Sequence, residues 1–179
     1  MTLEEKLRAG RFMLTAEVTP PVSANRDDLL AKALPLKGLA DAVNVTDGAG
    51  ARAHLSAVTA AGLLQAAGIE PILQLTCRDR NRIALQSELL AAAALGVRNL
   101  LALRGDDPSA GDQPDSKAVF DLDARQLLDT ARRLRDADKE RKLAANAAVL
   151  EPRQVAAHDL RVHAELGLHE LRAGFDLRH

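Results

Sequence analysis

A strand followed by a helix recurs along this chain at nearly constant intervals, and this rhythm constrains the fold more than any other feature. Short apolar runs begin at residues 42, 71 and 99, and a segment with helical spacing of apolar residues follows each one. Parallel strands joined by helices form right-handed crossovers, which build either a barrel or a doubly wound sheet. We therefore predict an α/β fold whose strands cover residues 12–18, 42–45, 71–75 and 99–103.

Helices are predicted between these strands from the spacing of apolar residues and from end signals. They cover residues 27–33, 54–67, 81–95 and 123–134. Asn25 is suited to cap the first of them, and Gly68 and Gly96 end the second and third. The polar loop at 106–117 is longer than most strand-to-helix connections, which predicts a functional or mobile segment.

The last 40 residues differ in character, because four of the five histidines lie there. We predict a fifth strand at 144–150 and a charged amphipathic helix at 154–172. His158, His163 and His169 are spaced by five and six residues, so no pair takes the three- or four-residue offset of a helical metal pair. No metal site is predicted.

Composition excludes several classes of function. The net charge is −1 and aromatic residues make up 2% of the chain, so neither a basic patch nor stacking side chains predict nucleic-acid binding. Cys77 is the only cysteine and cannot form an internal disulfide. No apolar stretch has the length of a signal peptide or a membrane span, so we expect a soluble cytoplasmic protein without membrane contacts.

The fourth predicted strand ends abruptly in Arg104, Gly105 and Asp106. In α/β folds, ligands bind where parallel strands end. Arg104 could clamp a phosphate or carboxylate, Gly105 would allow close approach to the backbone, and Asp106 offers acceptors to an amide edge. The alternatives are an ordinary loop with a solvated salt bridge or, less consistent with this composition, an adhesion tripeptide.

Three further strand ends carry polar residues. Glu17 is flanked by Ala16, Val18 and two prolines, so we expect loss of solvation to keep it protonated as a general acid; an outward-facing edge carboxylate is the alternative. Thr46 and Asp47 precede two glycines whose amides could meet an anion. Gln74 and Thr76 precede three arginines, at 78, 80 and 82, which serve an acidic ligand or line a solvated loop.

These motifs together resemble the methylenetetrahydrofolate reductase family. The resemblance rests on AEVTPP at 16–21, VNVTD at 43–47, LQLTCRDRN at 73–81 and GVRNLLALRGDDP at 96–108. It covers about residues 8–135, and the third and fourth motifs are specific as a pair.

The resemblance implies a (β/α)8 barrel that holds FAD at its C-terminal face. NADH or NADPH would reduce the FAD, and hydride would pass to 5,10-methylenetetrahydrofolate to give 5-methyltetrahydrofolate, in one-carbon metabolism and methionine supply. Glu17 matches the family's acid, and Asp106 matches the aspartate that contacts flavin and pterin. The other implied cofactor-binding residues are Thr46, Gln74 (where many members have histidine), Arg104, Gly105, Phe120 and Asp121.

The chain is shorter than the family, so the predicted fold is an incomplete TIM-type barrel of about four to five βα units with a parallel sheet and a C-terminal helix. Residues 1–142 form the N-terminal part of the flavin-binding barrel, and residues 143–179 form a divergent fifth unit and helix of the same domain. We expect the open sheet to be covered in one of three ways: by the C-terminal helix, by a second copy or by a partner chain. The alternative function is that of a non-catalytic barrel fragment or a small-molecule binding module that needs oligomerisation or a partner to be complete.

Overall fold

The computed structural model describes the backbone of residues 1–147 and 161–164, and side chains as far as residue 137. The strands are β1 (Thr15–Val18), β2 (Ala42–Val45), β3 (Pro71–Thr76), β4 (Asn99–Leu103) and β5 (Arg161–Ala164). The helices are α1 (Leu3–Arg8), α2 (Arg26–Ala33), α3 (Ala57–Ala66), α4 (Arg82–Ala94) and α5 (Ala124–Ala147). Single turns of 3-10 helix lie at Leu34–Leu36, Ala49–Ala51 and Pro108–Ala110.

The five described strands form one parallel sheet in the order β1-β2-β3-β4-β5. A doubly wound sheet reverses its strand order at a switch point, whereas a βα barrel adds each new strand on the same side. The unbroken order is therefore that of a barrel. The α/β fold and the incomplete barrel predicted from the sequence are confirmed.

Alternate strand residues pack against the helices and form the main core. Val45 of β2, Leu73 and Leu75 of β3 and Leu100 of β4 are fully buried there. Helices α2 to α5 cover this face with leucine and alanine, including Leu29, Leu64, Leu85 and Leu127. Because strand side chains alternate, the residues between these positions lie on the opposite face, which would be the inside of a barrel.

Helix α1 closes the N-terminal end of that opposite face. Leu3 packs against Ala42 and Ile72 in a small second cluster. The Glu70 carboxylate accepts hydrogen bonds from the Leu3 amide (3.2 and 3.1 Å) and from Asn99 Nδ2 (3.1 Å). This end of the sheet is therefore sealed by apolar contacts and a satisfied carboxylate, and the polar strand ends gather at the other end.

Helix boundaries follow the predicted caps closely. The Asn25 side chain accepts from the Asp27 amide at 3.0 Å, which confirms the cap of α2. Gly68 and Gly96 take positive φ values of +74° and +77° directly after the C-cap residues of α3 and α4. Helix α3 begins three residues later than expected for 54–67, because Ser56 caps it.

Three sequence predictions are wrong. The first strand begins at Thr15 rather than at residue 12, because its described pairing with β2 starts only there, and Phe12 is 89% exposed. The fifth strand at 144–150 is helical over 144–147, because α5 continues through residues of high helix propensity. The helix at 154–172 is instead a strand over Arg161–Ala164, where pairing with β4 overrides local spacing.

The remaining residues of those two predicted segments, and His158, His169 and His179, lie outside the described residues. The division into residues 1–142 and 143–179 stays a prediction. Within the described ranges, no helix combines the length and the apolar character needed to cross a membrane.

Candidate functional site

The Glu17 carboxylate lies on the barrel-interior face of β1 and meets the third strand across the sheet. Gln74 Nε2 donates to Glu17 Oε2 at 3.0 Å. Val18 packs into the helix-side core and Glu17 is exposed, so its apolar neighbours point away from it. The expectation that these neighbours would desolvate Glu17 is wrong, although its role as an acid stays a prediction.

A buried ionic network joins the ends of β2 and β3. Asp47 Oδ2 accepts from the Thr76 amide (2.8 Å), Thr76 Oγ1 (2.9 Å) and Arg80 Nη1 (2.7 Å), and Asp47 Oδ1 accepts from Arg80 Nη2 (3.0 Å). Asp47 is only 8% exposed. The burial of the Asp47 carboxylate is tolerated because its charge is paired with the Arg80 guanidinium and its oxygens are hydrogen-bonded.

Thr46, one residue before this network, is also buried but differs in one respect. Its backbone amide donates to the Val18 carbonyl at 3.2 Å. Its Oγ1 atom has no hydrogen-bond partner among the described residues. A buried hydroxyl without a partner is unusual in a native protein and marks a position where a partner from outside the chain would fit.

The loops after β2 and β4 are held against each other. The Gly50 amide donates to Asp106 Oδ2 at 2.9 Å. A Cβ added to Gly111 would lie 2.1 Å from the Ala51 carbonyl oxygen, so the two loops touch through backbone. Asp106 is therefore fixed beside the glycine-containing turn that follows Thr46, as expected if these strand ends serve one site.

The fourth strand end lies against the third. Gly105 has φ +93°, and a Cβ there would lie 3.1 Å from the Thr76 Cβ. Thr76 and Gln74 are two residues apart on β3 and share a face, and Gln74 contacts Glu17. The contacts thus place Glu17 and Asp106 at the same end of the sheet.

Arg104 and Phe120 form a stacked pair at this end. The Arg104 guanidinium lies 4.2 Å from the centre of the Phe120 ring, in cation–π geometry. Phe120 has φ +43°, a left-handed conformation that a bulky residue adopts only when its surroundings require it. Arg104 is exposed, and its guanidinium donates to no carboxylate among the described residues.

Asp121 has a different environment from its neighbour Phe120. Its carboxylate accepts from the Arg82 side chain at 2.7 and 2.9 Å and from the Arg82 amide at 2.8 Å. These contacts, the side-chain bonds first, lower the pKa of Asp121 to about 2. The Asp121 carboxylate is hydrogen-bonded to the first residue of α4, so a contact with a cofactor would have to compete with Arg82.

We expect the Arg82→Ala variant to raise the pKa of Asp121 from about 2 toward 3.8, without reaching it because the backbone bond remains. A pKa lowered by folding stabilises the folded state above pH 3.8, and that stabilisation is lost as the pH falls toward 2. Carboxyl carbon shifts of Asp121, followed by NMR against pH in both proteins, measure this. An identical titration midpoint in the variant would contradict the assigned cause.

The three arginines after β3 are all paired, which contradicts both of the alternatives predicted for them. Arg78 binds Asp79, Arg80 binds Asp47 and Arg82 binds Asp121. Only Arg82 is exposed, so the set neither forms a free anion site nor lines a solvated loop. The structural roles of Asp47 and Arg78 were not predicted from the sequence. Alternating charges in a short segment do not indicate which distant groups each side chain contacts.

Neither a nucleophilic thiol nor a set of metal-ligating side chains is present among the described residues of the site. Cys77 is fully buried, and burial, followed by the nearby Asp123 charge, raises the pKa of its thiol to about 11. Such a thiol is a packing residue rather than a nucleophile. Among the residues that the structure describes, no group of three histidine, cysteine or acidic side chains is arranged to hold a metal ion.

Comparison with known proteins decides the family. The family model described as methylenetetrahydrofolate reductase matches residues 2–145, which is most of the chain. The chain belongs to the methylenetetrahydrofolate reductase family. This match includes every strand end described above and confirms the resemblance drawn from the motifs.

One curated relative supports the same assignment over a shorter stretch. A Caenorhabditis elegans protein described as probable methylenetetrahydrofolate reductase (NADPH) is 35% identical over 68 residues. The aligned part is 38% of this chain and 10% of that relative. The chain thus matches only a small part of the relative's length.

Proposed function

We propose that this protein uses FAD to reduce 5,10-methylenetetrahydrofolate to 5-methyltetrahydrofolate, with NADPH as the hydride donor. Membership of the methylenetetrahydrofolate reductase family supports the reaction class. The description of the nematode relative supports NADPH over NADH. The folate is the expected substrate partner, at the C-terminal ends of the strands.

The single observation that carries this proposal is the buried hydroxyl of Thr46, which has no hydrogen-bond partner among the described residues. It precedes a turn containing Gly48 and Gly50, both at positive φ, and Gly105 after β4 also has a positive φ. Glycines at such positions let a ligand approach the backbone closely. Arg104 lies two residues before Asp106, whose carboxylate accepts from the Gly50 amide, and its guanidinium has no carboxylate partner among the described residues. These residues fit a flavin nucleotide, which needs hydrogen-bond donors along its pyrophosphate.

The FAD would be held by Thr46, Gly105, Asp106 and the Arg104–Phe120 pair. When bound, FAD supplies the two-electron carrier between the reduced nicotinamide and the folate. Asp121 is a weaker candidate than the sequence implied, because Arg82 already occupies its carboxylate. Gln74 is better assigned the role of orienting Glu17, because Gln74 Nε2 donates to Glu17 Oε2 at 3.0 Å.

Glu17 acts in this proposal as the general acid. Protonating a nitrogen of the folate opens its five-membered ring to an iminium that accepts hydride. The amide of Gln74 fixes one carboxylate oxygen, Oε2, and leaves Oε1 to face the substrate. Asp106 is fixed by Gly50 through Oδ2 and has its second oxygen for the amide edge of a pterin or flavin.

The Thr46→Val variant tests the site because it should separate stability from binding. Removing a buried hydroxyl that has no partner should raise the free energy of unfolding of the ligand-free protein by about 1 kcal/mol. The same change should weaken FAD binding by about threefold to tenfold, since a bound flavin would lose one hydrogen bond. FAD titration followed by flavin fluorescence, together with urea unfolding, measures both quantities.

Thr59→Val on the exposed side of α3 is the matched control and should change neither quantity. Equal FAD affinity in the Thr46→Val variant and the unaltered protein would remove Thr46 from the site. An unaltered protein that binds no FAD would overturn the proposed function itself.

A further inference from the structure

Arg78 is a buried arginine that the mechanism above does not use. Its side chain is only 4% exposed. Nε and Nη2 donate to the Asp79 carboxylate at 2.8 Å each, and Nη1 and Nη2 donate to the Gly48 carbonyl at 3.3 Å. Arginine is seldom buried unless its charge is paired, so this position requires a guanidinium for a specific reason.

Arg78 touches three separate segments at the strand ends. Its guanidinium lies so close to the turn after β2 that a Cβ on Gly48 would be 2.3 Å from Nη2. Its own Cβ lies 2.9 Å from where a Cβ on Gly105 would be, after β4. Its carbonyl accepts from the Val119 amide at 2.7 Å, next to the strained Phe120.

Those three segments carry every predicted cofactor-binding residue except Gln74. Thr46 precedes the first segment, Arg104 and Asp106 flank Gly105 in the second, and Phe120 and Asp121 follow Val119 in the third. Four of the five N–H donors of the Arg78 guanidinium are engaged within the chain, by the Asp79 carboxylate and the Gly48 carbonyl. Because the side chain is buried and held in this way, its main effect on a ligand should pass through these neighbours.

We propose that Arg78 is a positioning residue that sets the three loop segments relative to one another, and that FAD affinity depends on its planar guanidinium. The positioning part stands on the contacts alone, and the affinity part rests on the proposed function. A guanidinium is required because it bonds Asp79 and the Gly48 carbonyl at the same time in one plane. A lysine ammonium at the same place cannot reproduce that geometry.

The Arg78→Lys variant keeps the charge and loses the planar pairing. Amide hydrogen exchange, read by NMR, should become faster at Gly50 and at Val119 together, since Gly50 lies in the turn that the guanidinium holds and Val119 donates to the Arg78 carbonyl. FAD binding by the same variant should weaken by about tenfold or more. Arg98→Lys is the matched control, because Arg98 is half-buried at the opposite end of β4 and should change neither quantity.

Gly48→Ala is a second variant that leaves Arg78 in the chain. It forces a Cβ into the guanidinium and a side chain into φ +60°, so it should speed exchange at Gly50 and Val119 in the same way. Exchange that rises only near Gly48 in both variants, or at neither amide, would overturn the positioning role. If exchange rises at both amides and FAD affinity is unchanged, the link to the cofactor is wrong while the positioning role stands. An unaltered protein that binds no FAD contradicts the proposed function, and the exchange results still decide the positioning role.

Discussion

Replacing Glu17 with glutamine is expected to reduce folate turnover by about 10²–10⁴-fold, the usual contribution of a general acid. Glutamine has nearly the same shape and can still meet Gln74, but it has no proton to give to the folate. FAD should remain bound and should still be reduced by NADPH, because neither step needs this acid. Stopped-flow absorbance of the two half-reactions measures the separate effects.

The matched control for this change is Glu4→Gln in α1, at the sealed end of the sheet. This variant removes the same charge at the other end of the sheet from the C-terminal strand ends. Both half-reactions should therefore keep their rates. Folate turnover that is unchanged in the Glu17→Gln variant would remove Glu17 from its assigned role. Loss of bound FAD in that variant would show that Glu17 contributes to binding instead.

The position of Glu17 was predictable from the sequence, but its surroundings were not. A strand ending in two prolines locates the carboxylate at a strand end, which is a local property of the chain. Exposure depends on which strands lie on either side, and β1 is the edge strand of the described sheet. Ala16 and Val18 flank Glu17 in sequence, but the two-residue period of a strand turns them toward the helices.

Replacing Asp47 with alanine is expected to lower the free energy of unfolding by about 3–5 kcal/mol, as for other buried pairs that lose one partner. The variant removes both Asp47 hydrogen bonds from the Arg80 guanidinium and leaves it the longer carboxylate contact with Glu88 at 3.9 Å, in a site where Asp47 is 8% exposed. The Thr76 amide and hydroxyl lose their acceptor as well. Urea unfolding with the slope of the transition compared between proteins measures the change.

Asp27→Ala serves as the control, because Asp27 pairs with Arg26 on the exposed surface of α2 and its removal should leave stability nearly unchanged. A loss at Asp47 that is no larger than the loss at Asp27 would mean that water or Glu88 satisfies Arg80 in the variant. The buried network would then not hold the ends of β2 and β3 together.

Local signals account for what was predictable in the fold. Apolar runs located β2, β3 and β4, and Asn25, Gly68 and Gly96 located helix ends, because caps and turns depend on a few adjacent residues. The end of α5 was not predictable in the same way. Its alanine-rich last turns resemble a short buried strand in composition, and only the length of the helix that precedes them distinguishes the two.

Long-range contacts account for what the sequence left open at the site. The Asp47–Arg80 pair spans 33 residues, and the Gly50–Asp106 bond spans 56. The sequence shows acids and arginines at each strand end but does not say which of them meet. The pairing follows from strand order and register, so Arg80 and Arg82 became internal partners rather than ligands for an acidic molecule.

The most direct test of the proposed site is an anaerobic reduction and reoxidation of protein reconstituted with FAD. The visible absorption of the bound flavin should bleach when NADPH is added and return when 5,10-methylenetetrahydrofolate follows, with 5-methyltetrahydrofolate as the product. A protein that takes up no flavin, or a bleached flavin that 5,10-methylenetetrahydrofolate does not reoxidise, would contradict the assignment of these strand ends to folate reduction.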